Sequence, residues 1–291
     1  MTKSNKIKIA FFGTPESAVI ALEELKKADL TASLVVTSPD KPKGRSLVLT
    51  APPVKVWAEK NKVNFVQPEE LDEAFIELLK EGDFDLFVVA SFGKILPKEL
   101  LDIPKHGTLN IHPSLLPKLR GPSPIISAIL QDESRTGVTI MLLNESIDSG
   151  PIVAQASIEP EPWPPRAGEL EELLFTEGAK LLAEVIPDWT AGKIKPEAQD
   201  ESEATFTTKI KKEDALIELD GDAYQNLLKI RAYDQWPVAY FLASRSDLDG
   251  KRSDLMRIKI TDAELEDDKL KIKKVIPEGK KEMDYEDFLR G

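Results

Sequence analysis

Ile7 to Phe12 (IKIAFF) is an apolar run that turns through Gly13-Thr14-Pro15 into a stretch with helical spacing, Glu16 to Ala28. A strand that is apolar on successive residues has to be covered on both faces, which is the condition of a parallel sheet with helices above and below it. Similar runs recur at Ala32 to Ser38, at Phe84 to Ala90 (FDLFVVA) and at Thr136 to Asn144 (TGVTIMLLN), and Glu70 to Lys80 is an amphipathic helix between them. The expected fold class is therefore α/β, a doubly wound, mostly parallel sheet. The first turn carries a single glycine, so there is no dinucleotide fingerprint and a nicotinamide or flavin cofactor is not expected. Gly13-Thr14-Pro15 reads at least as well as a plain strand-to-helix connection.

Candidate chemistry concentrates between Gly107 and Gly121, GTLNIHPSLLPKLRG. In an extended strand, residues two apart point to one face, so Asn110 and His112 project together. Ser114-Leu115-Leu116-Pro117 then forms a stiff turn and Arg120 supplies a cation. Downstream, the Thr136 to Asn144 strand runs into Asp148, where open α/β sheets put ligands and catalytic groups. The competing readings are a satisfied core histidine and a carboxylate that only caps a helix. Scarcity weighs against them, because the chain has only two histidines, His106 and His112, and no cysteine. Disulfides, thiolate nucleophiles and cysteine-ligated zinc are excluded, and no metal is expected.

Asn110-Ile111-His112-Pro113-Ser114-Leu115-Leu116-Pro117, then Arg120-Gly121, Gly137-Val138-Thr139-Ile140 and Ile147-Asp148-Ser149-Gly150, resembles the folate-dependent formyltransferases. Within them the similarity is greatest to the methionyl-tRNA formyltransferases. The long loop Pro39 to Val54, with Lys41, Lys43 and Arg45, is similar to the loop those enzymes use on the acceptor end of tRNA, and Arg45 matches its key arginine. The resemblance implies Asn110, His112 and Asp148 as catalytic residues. It implies a folate pocket lined by Phe92, Gly93, Ser114, Leu115, Leu116 and Pro117, with Phe92 standing where a tyrosine is commoner. It also implies 10-formyltetrahydrofolate as co-substrate, charged initiator tRNA as acceptor, and tRNA contacts from Lys41, Lys43 and Arg45.

Three regions are expected: a formyltransferase-like catalytic domain over 1–190, a linker over 191–207 and a second domain over 208–291. The linker assignment rests on the polar, acidic, aperiodic stretch from Ala191 to Thr205. Arg231-Ala232-Tyr233-Asp234-Gln235-Trp236-Pro237 and the segment from Pro277 to Gly291 resemble the two ends of the family's second domain. Only three strand-like runs lie between those ends, Val238 to Leu242, Met256 to Thr261 and Leu270 to Ile276. The expectation is a shortened, β-rich C-terminal domain that is barrel-like and binds tRNA.

A net charge of -12 sits awkwardly with a polyanionic substrate. Local basic clusters would have to do the binding: the Lys41 loop, Lys209 with Lys211 and Lys212, and Lys271, Lys273, Lys274, Lys280 and Lys281. Met1 to Lys6 is too short and polar for a signal peptide, and no run reaches the roughly 18–20 apolar residues of a membrane span. A cytoplasmic monomer is expected. A sugar-nucleotide N-formyltransferase, a formyltetrahydrofolate hydrolase and a non-catalytic tRNA- or folate-binding module remain as alternatives.

Overall fold

In the computed structural model, which describes residues 6–44, 47–244 and 255–290, β1 (Ile9–Gly13) is buried along its whole length and lies between β2 (Leu34–Val36) and β6 (Leu86–Ala90), parallel to both. The chain divides into two units, the first comprising 1–121, 136–158 and 171–206. Its sheet has seven strands, completed by β5 (Asn64–Val66), β7 (Thr108–His112), β8 (Thr136–Leu142) and β9 (Ile152–Ile158), in the order β5-β2-β1-β6-β7-β8-β9. The pairings from β5 to β7 are parallel, and those of β7 with β8 and β8 with β9 are antiparallel. The mostly parallel α/β sheet expected from the apolar runs is present. The Pro39 to Val54 loop contains a two-stranded hairpin, β3 (Lys41–Lys43) with β4 (Val48–Thr50), that its prolines concealed.

Helices α1 (Glu16–Lys27), α2 (Pro53–Asn61), α3 (Glu73–Glu81) and α4 (Lys98–Leu101) follow successive strands of this unit. The third begins at Glu73 because the Asp72 carboxylate accepts the Phe75 amide at 2.9 Å, an N-cap worth about 1 kcal/mol. Phe12, Phe87 and Phe92 form an aromatic cluster in the core, with ring centroids 5.1 Å and 5.4 Å from Phe12. The long helix α6 (Ala167–Thr190) contributes its residues from Glu171 onward to this unit. Gly178 lets it approach the sheet: a Cβ there would lie 2.6 Å from Val138 Cγ2 and 2.8 Å from Ile111 Cγ2. The helix therefore packs directly beneath the strand that carries Asn110 and His112.

Residues 191–206, expected to lie in a linker, are bound into the first unit. Glu197 and Ile152 exchange main-chain hydrogen bonds of 2.7 and 2.8 Å, and the Arg120 amide donates to the Thr205 carbonyl at 2.9 Å. Aperiodic sequence is compatible with this because main-chain pairing needs no apolar pattern.

The second unit comprises 122–135, 159–170 and 207–291, so it takes in α5 (Pro124–Leu130), which its place in the sequence would put in the catalytic domain. Its antiparallel sheet orders β10 (Tyr240–Ser244), β11 (Leu255–Glu266), β12 (Lys269–Pro277) and β13 (Met283–Asp284), accompanied by α7 (Ala223–Ala232) and α8 (Tyr285–Arg290). Ile217, Ile230, Tyr233, Phe241, Ile258, Ile260, Val275 and Phe288 form its core, and Ile126 and Leu130 of α5 pack against it. The strand expected to end at Thr261 continues to Glu266. There Asp267 and Asp268, both at positive φ (49° and 59°), make a two-residue turn into the next strand, the backbone that a tight hairpin demands. Lys271 and Lys273 pair with Glu266 at 2.7 Å and Glu264 at 2.5 Å, so part of this basic cluster is neutralised within its own hairpin.

Candidate active site

β7 is an interior strand, with Asn110 opposite Val89 on one side and Met141 on the other, and His112 opposite Thr139. Alternation puts Asn110 and His112 on the same face. His112 is buried, 4% exposed, whereas Asn110 is half-buried. The connection from β8 to β9 then brings in Asp148, whose Oδ2 lies 3.7 Å from His112 Nδ1. These three residues, each singled out by sequence, all belong to the first unit, two on β7 and one on the β8–β9 connection.

The segment after His112 supplies the frame. His112 Nε2 is 3.1 Å from the Leu119 carbonyl oxygen, and the Gly121 amide donates to Asp148 Oδ2 at 2.7 Å. Ser114 Oγ donates to the Lys118 carbonyl at 2.7 Å and closes the turn. From the sheet, Thr139 Oγ1 donates to the Ser114 carbonyl at 2.7 Å and accepts the Leu116 amide at 3.1 Å, while Gln155 Nε2 donates to the Leu116 carbonyl at 2.7 Å. Gly137 leaves room for Leu115, since a Cβ there would lie 2.6 Å from Leu115 Cδ2. Thr139 is part of a sequence motif, but its role as a clamp on the turn needs the antiparallel register to become visible. Gln155 carries no sequence signal.

Only an N–H can pair with a carbonyl, so the bond to Leu119 puts a proton on Nε2 and leaves Nδ1, the nitrogen facing Asp148, as the one that titrates. Burial pushes the His112 imidazole below its ordinary value of 6.5, and the Asp148 charge, followed by the Leu119 carbonyl, opposes that shift. The ring is neutral near pH 7 and can accept a proton at Nδ1, where a carboxylate stands ready to stabilise the cation.

The residues expected to hold a folate divide by how they are fixed. Ser114 is buried, Leu115 half-buried, Leu116 buried and Pro117 half-buried, all in the clamped turn. Phe92 turns its ring into the core against Phe12, so the segment after β6 has only main-chain groups to offer at that position. Gly93 is exposed at φ +77° with open space beside it. Lys41 and Lys43 are exposed on the β3–β4 hairpin beside exposed Leu47, Val48 and Leu49, and Arg45 lies outside the described residues. Arg120, read from the sequence as the cation of the site, points inward instead: it is 2% exposed and gives its guanidinium to Gln199 and Glu201. Neither partner is legible in the sequence, because both lie in the aperiodic stretch. Among the described residues no helix is long and apolar enough to cross a membrane.

Residues 6–186 match the family described as formyl transferase. The methionyl-tRNA formyltransferase of Geobacillus sp. is 40% identical over 301 residues, covering 98% of this chain and 94% of that one. Among solved structures, methionyl-tRNA formyltransferase from Clostridium thermocellum superposes with a TM-score of 0.61 at 19% identity, over 93% of this chain and 98% of that one. HypX from Aquifex aeolicus, solved in complex with tetrahydrofolic acid, gives a TM-score of 0.63 at 15% identity over 98% of this chain and 47% of that one. At these identities the solved structures establish a shared fold.

Proposed function

Because the chain belongs to the formyl transferase family, we infer that it transfers a formyl group from 10-formyltetrahydrofolate to the α-amine of methionyl initiator tRNA, the step that prepares that tRNA for translation initiation. Near-full-length identity to a methionyl-tRNA formyltransferase supports the acceptor. The fold shared with a tetrahydrofolate-bound protein supports the donor. The single observation that carries the chemistry is the buried His112 Nδ1 facing the Asp148 carboxylate at 3.7 Å, on the strand that also carries Asn110.

The folate supplies the formyl group, whose carbon the methionine amine attacks, so that negative charge develops on the formyl oxygen. Asn110 donates an amide N–H to that oxygen, a preorganised hydrogen bond whose removal typically costs roughly 10²- to 10³-fold in rate. His112 takes the proton released by the attacking amine at Nδ1 and returns it to the departing folate nitrogen. Asp148 stabilises the imidazolium in between. The Ser114 to Pro117 turn and the main chain at Phe92 and Gly93 hold the pterin, and Lys41, Lys43 and Arg45 contact the tRNA.

A formyl-transfer assay offering charged initiator tRNA and an amino-sugar nucleotide in parallel tests the assignment. Transfer to the tRNA is expected. Transfer to the sugar alone would replace the acceptor while keeping the chemistry, and transfer to neither would leave the hydrolase, if formate is released, or a binding module, if it is not.

A further inference from the structure

Asp148 has φ +47°, in the left-handed region that aspartate enters more readily than most residues with a side chain. Gln199, 51 residues later, makes the bonds that hold it: its Nε2 donates to the Asp148 carbonyl at 2.9 Å and to the Gly150 carbonyl at 2.7 Å. Its Oε1 in turn accepts Arg120 Nε at 3.0 Å and Nη2 at 2.8 Å. Glu201 receives the rest of the guanidinium, Nη1 at 2.9 Å and Nη2 at 2.8 Å. Arg120 stands between Leu119, whose carbonyl takes His112 Nε2, and Gly121, whose amide binds Asp148 Oδ2. The two residues that flank a buried, immobilised arginine thus hold the imidazole and the carboxylate, and Gln199 joins that arginine to the Asp148 turn.

We propose that Gln199 is the positioning residue that sets the Asp148 carboxylate against His112 in the transfer reaction. Its amide is directional at both ends: the N–H₂ group can satisfy two carbonyls while the oxygen serves the guanidinium, and no other uncharged side chain of that length does both. This reading rests on the function proposed above only for its kinetic arm. Its structural arm concerns the protein alone.

Two variants separate the ends. Gln199→Glu keeps oxygens for Arg120 but turns an acceptor toward the Asp148 and Gly150 carbonyls, and Gln199→Leu removes both interactions. The chain has two histidines, so 15N-histidine-labelled protein gives two imidazole titrations, and His112 is identified by its loss in His112→Gln. The Asp148 carboxylate faces His112 Nδ1 at 3.7 Å and its charge favours the imidazolium, so its retreat is expected to move the His112 titration to lower pH in both variants. Turnover with charged tRNA is expected to fall ten- to a hundredfold, with KM for tRNA and the affinity for 5-formyltetrahydrofolate changed less than twofold.

An unchanged His112 titration in a folded variant overturns the proposal whatever the rate does, and a shifted titration with undiminished turnover overturns its catalytic relevance. If one variant fails to fold the other decides, and failure of both makes Gln199 a stability residue and overturns the assignment. Absence of formyl transfer in the unsubstituted protein would instead strike the proposed function, leaving the titration still readable.

Discussion

His112 and Leu119 are joined by a hydrogen bond of 3.1 Å from Nε2 to the main-chain oxygen, and that bond decides which imidazole nitrogen is left for chemistry. With Nε2 committed to a carbonyl, Nδ1 is the exchangeable site, and the nearest acid to it is Asp148. The catalytic expectations follow from this pairing.

Asp148→Asn should slow transfer by at least about a hundredfold with the fold retained. The amide oxygen of asparagine can still accept the Gly121 N–H, so the turn survives while the charge that supports the imidazolium is lost. Single-turnover transfer beside a thermal melt checks this, and a near-wild-type rate would remove Asp148 from the mechanism.

The depressed His112 pKa sets two pH dependences. Below pH 6.5 an unfolded histidine binds a proton that the buried, folded ring still refuses, so the unfolded state holds more protons and stability falls as pH drops from 6.5 toward the lower folded value. Chemical denaturation of wild type and His112→Gln at about pH 8 and about pH 5.5 should show a larger acid loss for the wild type. The acid limb of kcat/KM should likewise lie below pH 6.5, and Asp148→Asn should move it lower still by removing the charge that favours protonation.

Reduced folates should raise the melting temperature and nicotinamide nucleotides should not. A ligand at a hundred times its Kd stabilises the folded state by about 2.7 kcal/mol. Scanning calorimetry with 5-formyltetrahydrofolate and with NAD measures both, and stabilisation by NAD alone would defeat the folate assignment.

Lys41→Ala with Lys43→Ala, and separately Arg45→Ala, should impair transfer to charged tRNA much more than folate binding. Every cation withdrawn from a phosphate should reduce the slope of log affinity against log salt by about 1. Equal losses of tRNA transfer and folate affinity would instead make the loop a support of the pocket.

Gly178→Ala should destabilise the first unit although alanine is the better helix former by about 1 kcal/mol. The added Cβ would press on Val138 and Ile111, which are buried, β-branched and unable to swing aside. A net loss of about 1–3 kcal/mol is expected from overpacking, measured by urea denaturation.

Local sequence located the central strands β1, β2 and β6, because apolar runs such as Leu86–Ala90 declare their two-sided burial residue by residue, whereas the short, half-exposed edge strand β5 gave no such run. It also put Asn110 and His112 on one face, since a strand's period of two is itself a local property, and the end of the Thr136 to Asn144 run pointed to Asp148. Tertiary structure decided what surrounds them. Arg120 looked like a cation offered to a ligand, and folding turned it inward to Gln199 and Glu201, 79 and 81 residues away. The stretch from Ala191 to Thr205 looked like a linker because side-chain periodicity was the only signal available, whereas its role depends on main-chain pairing and on one directional amide. Such interactions are set by where distant backbone groups come to rest, and no pattern of neighbouring residues encodes that.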